Sequence, residues 1–169
     1  VLGAAHVPGI TKEIQKKHDL KQLTKRPPKS KLPKVIGWSI PILIIAMIAY
    51  TFFTNPAAGW QQTFSWVLWN GSFSALGTLI ALGHPIAVLT AFIAAPITSL
   101  NPLIAAGWFA GFVQAYINKP TVREFENLSE DVFSVKGFWK NKVTRVLLVV
   151  VLANIGSSLG TFIGGLDVV

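Results

Sequence analysis

Seven carboxylates and three histidines, with no cysteine, are the usual metal-binding and near-neutral acid–base side chains of this 169-residue sequence. They do not gather. The sequence has no His-Glu-x-x-His helix, no nucleophile elbow and no phosphate-binding Gly-rich loop. Without cysteine, neither a thiolate metal site nor a disulfide scaffold can form. His18 stands in a lysine-rich polar segment, and His84, between Gly83 and Pro85, suits a capping role better than proton transfer. By its chemistry, His6 is an ordinary lone histidine. The remaining polar candidates are neutral: Asn70, Asn101, Asn154 and Gln114, joined by Thr78, Ser157, Ser158 and Thr161, all set in otherwise apolar runs. An unpaired amide in hydrocarbon is costly, so these groups should point inward between helices. A fixed hydrogen-bond cluster is favoured over a solute path, because transport sites usually recruit an ionisable group.

Charge delimits the elements that must position these residues. All 15 Lys and Arg fall in residues 1–34 or 119–145, while 35–118 and 146–166 hold no Lys, Arg, Asp or Glu. No soluble domain of ordinary composition shows such blanks. At about 20 apolar residues per crossing, the expected fold is an all-α integral membrane protein with about five transmembrane helices. The first runs from Val35 to Thr54 and the second from about Phe64 to Leu82, after an uncharged water-facing turn at 55–63. Spans three and four form a short helical hairpin around Asn101-Pro102, with Asn101 as N-cap of the fourth helix and Pro102 in its first position. The fifth runs from Val143 to about Leu166.

Small residues recur at helical spacing. Gly156, Gly160 and Gly164 share one face of the last span, and Gly107 with Gly111 repeats the pattern in the fourth. Such faces let backbones approach closely where lipid provides no hydrophobic drive; packing inside one subunit is favoured over contacts between subunits, which leaves a homo-oligomer open. A weak internal echo links "SALGTLIA" (74–81) to "SSLGTFIG" (157–164), and "VLWN" (67–70) to "VLAN" (151–154). Inverted repeats are a transporter feature.

Because cations mark the cytoplasmic side of short loops, residues 1–34 and 118–142 are expected in the cytoplasm of a multi-pass protein of the cell membrane. The formal charge of +8 then reflects topology and contact with lipid headgroups, and no nucleic acid partner is expected. Residues 1–10 read as a strand without a partner, the end of an upstream soluble domain. Residues 11–34 read as a polar helix, from Thr11 as N-cap to Lys25, and a basic Pro-rich linker; 35–169 form the membrane domain. Within loop 118–142, Thr121-Val-Arg-Glu124 fits a capping box. Phe125, Leu128, Val132 and Phe133 would give an apolar face, for which docking on the upstream domain is favoured over burial at the membrane interface.

Three stretches, "GAAHVPGI", "HPIAVLTAFIAAPITSLNPLIAAGWFAGFVQAYINKPTVREFENLSED" and "GFWKNKVTRVLLVVVLANIGSSLGTFIGG", resemble the C-terminal membrane part of the TraB/PrgY family, the pheromone shutdown proteins. In that family a soluble domain related to the Tiki and GumN proteins, with a suspected metal-dependent peptidase activity, precedes the membrane part. The resemblance implies that Gly3-Ala-Ala-His6 is the second of that domain's two Gly-x-x-His motifs and that His6 is a metal ligand whose partners lie upstream. Any divalent metal and any hydrolase activity would then belong to the upstream domain, with no cofactor in this chain. The expected function is a membrane-embedded domain that anchors and assembles an upstream peptide- or signal-processing domain. The alternative is a small transporter or channel with a neutral polar path between its helices.

Overall fold

The computed structural model describes residues 3–14, 16, 19, 21, 24, 25, 30–101 and 103–166, and its described residues are helical without a strand. They fall into two compact units, 1–31 and 32–169. In the first, a 3-10 turn at Ala4–His6 leads into α1, Val7–Glu13. The strand expected over 1–10 is therefore a helix from Ala4 onward. Pro8 sits at the start of α1, where its missing N–H costs nothing and its φ is already helical. Thr11 does not cap a helix that follows it. It lies inside α1 and donates its hydroxyl to the Val7 carbonyl at 2.8 Å. His18, Pro102 and most of the Pro-rich stretch (26–29) lie outside the described residues.

The second unit contains α2 (Leu32–Thr54), α3 (Pro56–Ile80), α4 (Pro85–Thr98), α5 (Ala106–Ile117), three short helices α6 (Val122–Glu126), α7 (Leu128–Asp131) and α8 (Val135–Lys140), and α9 (Lys142–Leu166). By length and composition, α2 and α9 are sufficient to cross a membrane. α4 and α5 have 14 and 12 residues, about 21 and 18 Å at 1.5 Å per residue, short of a hydrocarbon core of about 30 Å.

The turn expected over 55–63 shrinks to Asn55. Its Oδ1 accepts from Ala58 N at 3.3 Å, and Pro56 takes the first helical position. From Ala57 to Gln62 only Gly59 disfavours a helix, and the alanines and glutamines around it are good helix formers. α2 turns back here by laying the Phe52 ring over Gly59 and edge-on to Trp60, with centroids 5.4 Å apart.

α3 and α9 form the central antiparallel pair. Close contacts link Gly77 to Leu152, Phe73 to Gly156, Asn70 to Gly160 and Trp66 to Gly164, so positions rise on one helix as they fall on the other. α4 packs on α3, and α5 on both α4 and α9.

α3 ends in a Schellman motif: Leu82 N donates to Leu79 O at 2.8 Å and Gly83 N to Thr78 O at 2.9 Å. The left-handed residue is Leu82 (φ 55°), not the neighbouring glycine. Gly83 serves close approach instead, since a Cβ there would lie 2.7 Å from Thr78 Cγ2. An L side chain in the left-handed region costs about 1–2 kcal/mol, and Leu82 is exposed. Leu82→Gly should therefore raise stability by up to about 1 kcal/mol, less than the full strain because glycine also loses more chain entropy. A higher thermal midpoint in detergent is the expected readout, and an unchanged or lower one counts against the strain.

The 118–142 segment is tied to the bundle by polar contacts. Glu124 Oε2 accepts from Thr121 N at 2.7 Å and Thr121 Oγ1 at 3.0 Å, the returning half of the expected capping box. Burial works to raise the Glu124 carboxyl, but these bonds and the Lys142 charge, 3.6 Å away, outweigh it and hold it below its ordinary value of 4.5. Asn141 is the knot: its Nδ2 donates to Glu124 O at 2.7 Å and Asp131 Oδ2 at 2.8 Å, while its Oδ1 accepts from Val143 N. Trp139 Nε1 donates to Ile80 O at 2.9 Å, joining α8 to the end of α3. Phe125 and Phe133 stay exposed.

Candidate functional site

The neutral polar residues separate into three constellations. In the first, Asn70 projects from α3 into the seam with α9 and is fully buried. Its Nδ2 donates to Thr161 Oγ1 at 2.7 Å, and its Oδ1 accepts from Ser157 Oγ at 3.0 Å. Ser74, one turn further along, donates to Ala153 O at 3.0 Å, and Thr78 donates back to Ser74 O. The seam is polar because glycines bring the backbones together. A Cβ on Gly77 would overlap the Leu152 carbonyl, one on Gly156 the Phe73 carbonyl, and one on Gly160 would lie 2.5 Å from Asn70 Cα. Gly164 differs from its neighbours: a Cβ there would meet Trp66 Cα at 3.5 Å, an ordinary contact.

The contacts across this seam are reciprocal, and they follow the sequence echo. Gly77, of the first small-residue segment, meets Leu152 of "VLAN". Its counterpart Gly160, of the second, meets Trp69 and Asn70 of "VLWN". Ser74 bonds into the 151–154 segment, and its counterpart Ser157 bonds to Asn70.

In the second constellation, α5 begins at Ala105-Ala106, which offers no capping side chain. Asn154 supplies the cap from α9: its Oδ1 accepts from Gly107 N at 2.8 Å. Gly107 is required there, since a Cβ would fall on the Val150 carbonyl, and Gly111 packs against the Val150 side chain one turn later. In the third, Gln114, also buried, accepts from His84 N at 2.6 Å, while His84 Nδ1 accepts from Ile86 N at 3.2 Å and caps α4. His84 is thus a cap, at a helix start.

Asn101 does not cap α5. Its Oδ1 accepts from Leu103 N at 3.0 Å in a local turn, and the helix starts only at Ala106. Asn side chains compete readily for nearby backbone N–H groups in this way. Asn101 and Asn154 nevertheless meet at one place, a groove of about 750 Å³ between α2, the 99–105 turn and α9. Ile40, Leu43 and Met47 of α2 form its apolar wall, and Ser99, Asn101, Asn154 and Ser158 its polar side.

His6 is exposed in the first unit, and among the described residues no three His, Asp or Glu side chains lie together as metal ligands. Sequence reasoning missed Ser74, Asn141, Thr144 and the indole bonds of Trp66 and Trp139. Thr144, whose hydroxyl donates to Phe138 O at 2.5 Å, is buried. For Asn141 and Thr144 the available signal was a short polar side chain among charged neighbours, which is also what any exposed loop offers.

The described residues of 32–169 thus form an all-helical domain with amides and hydroxyls inside and many aliphatic and aromatic side chains outside. Residues 32–169 match the TraB family protein C-terminal domain, and the chain belongs to the TraB family. An uncharacterized protein of Methanocaldococcus jannaschii is 37% identical over 173 aligned positions, covering 96% of this chain and 43% of that protein. The chain thus spans less than half the length of this relative. No solved structure matches it.

Proposed function

We propose that residues 32–169 form a multi-pass membrane domain that anchors, and helps assemble, a peptide- or signal-processing domain of the longer protein at the cytoplasmic face of the cell membrane. The observation that carries this reading is the inverted polarity of the bundle. Asn70, Ser74, Thr78, Gln114 and Ser157 are buried, whereas Leu76, Leu79, Leu147, Val151, Ile155 and Phe162 are exposed. In water that arrangement would leave far more apolar surface uncovered than a soluble monomer carries; in lipid it satisfies every helix.

In this reading α2, α3 and α9 cross, and α4 with α5 forms a hairpin that enters from the cytoplasmic side. Trp66 Nε1 donates to Pro96 O at 3.4 Å, ten residues into α3 and so about 15 Å from its start. The hairpin therefore reverses at membrane depth, inside protein, where irregular backbone is tolerated. Whether counted as two short crossings or none, it returns the chain to its own side, so residues 1–34 and 118–142 share the cytoplasm. The transporter reading draws on the groove, but the seam amide Asn70 has both ends bonded within the bundle.

Single cysteines test the arrangement in a chain that has none of its own. With an impermeant thiol reagent on intact cells, Ser30→Cys and Lys136→Cys should stay protected and Ala57→Cys should be labelled. The opposite pattern would reverse the orientation. Labelling of all three would remove the membrane reading.

A further inference from the structure

We propose that the groove between α2, the 99–105 turn and α9 binds an uncharged amphiphile, a long apolar chain carrying one hydroxyl or carbonyl oxygen. The proposal rests on the membrane reading for the origin of such a molecule, but its geometry stands on the groove itself. A volume of about 750 Å³ falls within the roughly 300–1,000 Å³ typical of ligand pockets. The segment of α2 that lines it, Gly37 to Met47, spans about 15 Å at 1.5 Å per residue, long enough to lie along an extended chain.

The chemistry of the head follows from the two asparagines. Each has its carbonyl oxygen committed, Asn101 to Leu103 N and Asn154 to Gly107 N. Oxygen must face those backbone donors, which leaves the amide NH2 of each as a donor without a partner among the described residues. Ser158 spends its own proton on Asn154 O at 2.9 Å. What the two amides lack is an acceptor, and a ligand oxygen supplies it. No Lys, Arg or His lines the groove among the described residues, so an ionised head would be desolvated without a counter-charge. A plain alkane would leave both donors unmet. The chain occupies the wall of Ile40, Leu43 and Met47.

The probes are three diazirine-bearing compounds of equal length, a fatty alcohol, the fatty acid and the alkane, photolysed with the full chain in detergent and mapped by peptide mass spectrometry. The alcohol should label the α2 and α9 segments of the groove, and excess unmodified alcohol should suppress that labelling. Asn101→Asp keeps an oxygen for Leu103 N and removes the donor. It should lower alcohol labelling about fivefold, the loss of one neutral hydrogen bond, with its thermal midpoint confirming that it is folded. Leu43→Trp, which fills the groove, should abolish labelling. Equal labelling by the alkane would mean an unspecific lipid-filled cleft, and preference for the acid would mean an anion site; either overturns the proposal, as does an Asn101→Asp variant that labels like the parent. Detergent makes this readout independent of orientation, so it can fail while the cysteine pattern holds, and the reverse.

Discussion

Gly160→Leu should be among the most destabilising single changes in this protein. A side chain at 160 has no direction in which to yield, because the atoms it meets are Asn70 Cα at 2.5 Å and Trp69 O at 2.6 Å, backbone rather than the end of a flexible side chain. Overpacking commonly costs about 1–3 kcal/mol and more where backbones must part; here the whole α3–α9 pair must separate, so the upper end or beyond is expected. Gly156→Leu should behave alike, against the Phe73 carbonyl. Two controls give the measurement its meaning. Leu159→Ala, on the exposed side, should be mild, and Gly164→Ala should be tolerated because its Cβ would find only an ordinary 3.5 Å contact. Thermal unfolding in detergent that ranks all four alike would mean that this face does not carry the pair.

Asn70→Leu should be nearly as severe for a different reason. The branched shape is kept, although two methyl groups are bulkier than the amide oxygen and nitrogen, but Ser157 Oγ and Thr161 Oγ1 lose the partner they share, and a buried unsatisfied polar group costs about 1–3 kcal/mol. The asymmetry of hydrogen-bond energetics supplies the check. Removing the two partners as well, with Ser157→Ala and Thr161→Val added to Asn70→Leu, should restore much of the lost stability, since an apolar set of similar shape leaves nothing unpaired. If the triple variant were no better than the single one, the seam would owe little to these bonds.

Much of this architecture was legible because its signals are negative or periodic. A long run without charge needs no partner to be read, and glycines four apart define a face whatever meets it. Asn70, Ser157 and Thr161 could be named as inward-facing because amides and hydroxyls in apolar helices have few alternatives. What each would meet was not legible. Asn154 caps a helix start 47 positions away in the sequence, and no local pattern encodes which helix end arrives there. At Asn101 the local motif misled: Asn-Pro before an apolar run looks like a helix start, yet a turn to Leu103 captures the amide and delays the helix to Ala106. At 55–63 two prominent features, an Asn-Pro pair and an absence of Leu, Ile and Val, suggested a turn where only the first residue belongs to one. Asn141 was hidden by its charged neighbours, among which a buried amide is not expected.

The reciprocal contacts between α3 and α9 bear on how the chain finds its orientation. Exchange the two helices by a half-turn about an axis between them, and Gly77 on the Leu152 carbonyl becomes Gly160 on the Trp69 carbonyl, while Ser74, bonded to the Ala153 carbonyl, becomes Ser157, bonded to the Asn70 side-chain oxygen. To a first approximation the pair is the same object either way up. On the membrane reading proposed above, this packing would favour neither direction of insertion, and the decision would fall to the unpaired, asymmetric parts, the cations of 1–34 and 119–145. On that reading, address and architecture would be written in separate residues, and a change in the flanks could turn the protein over without disturbing the seam that holds it together.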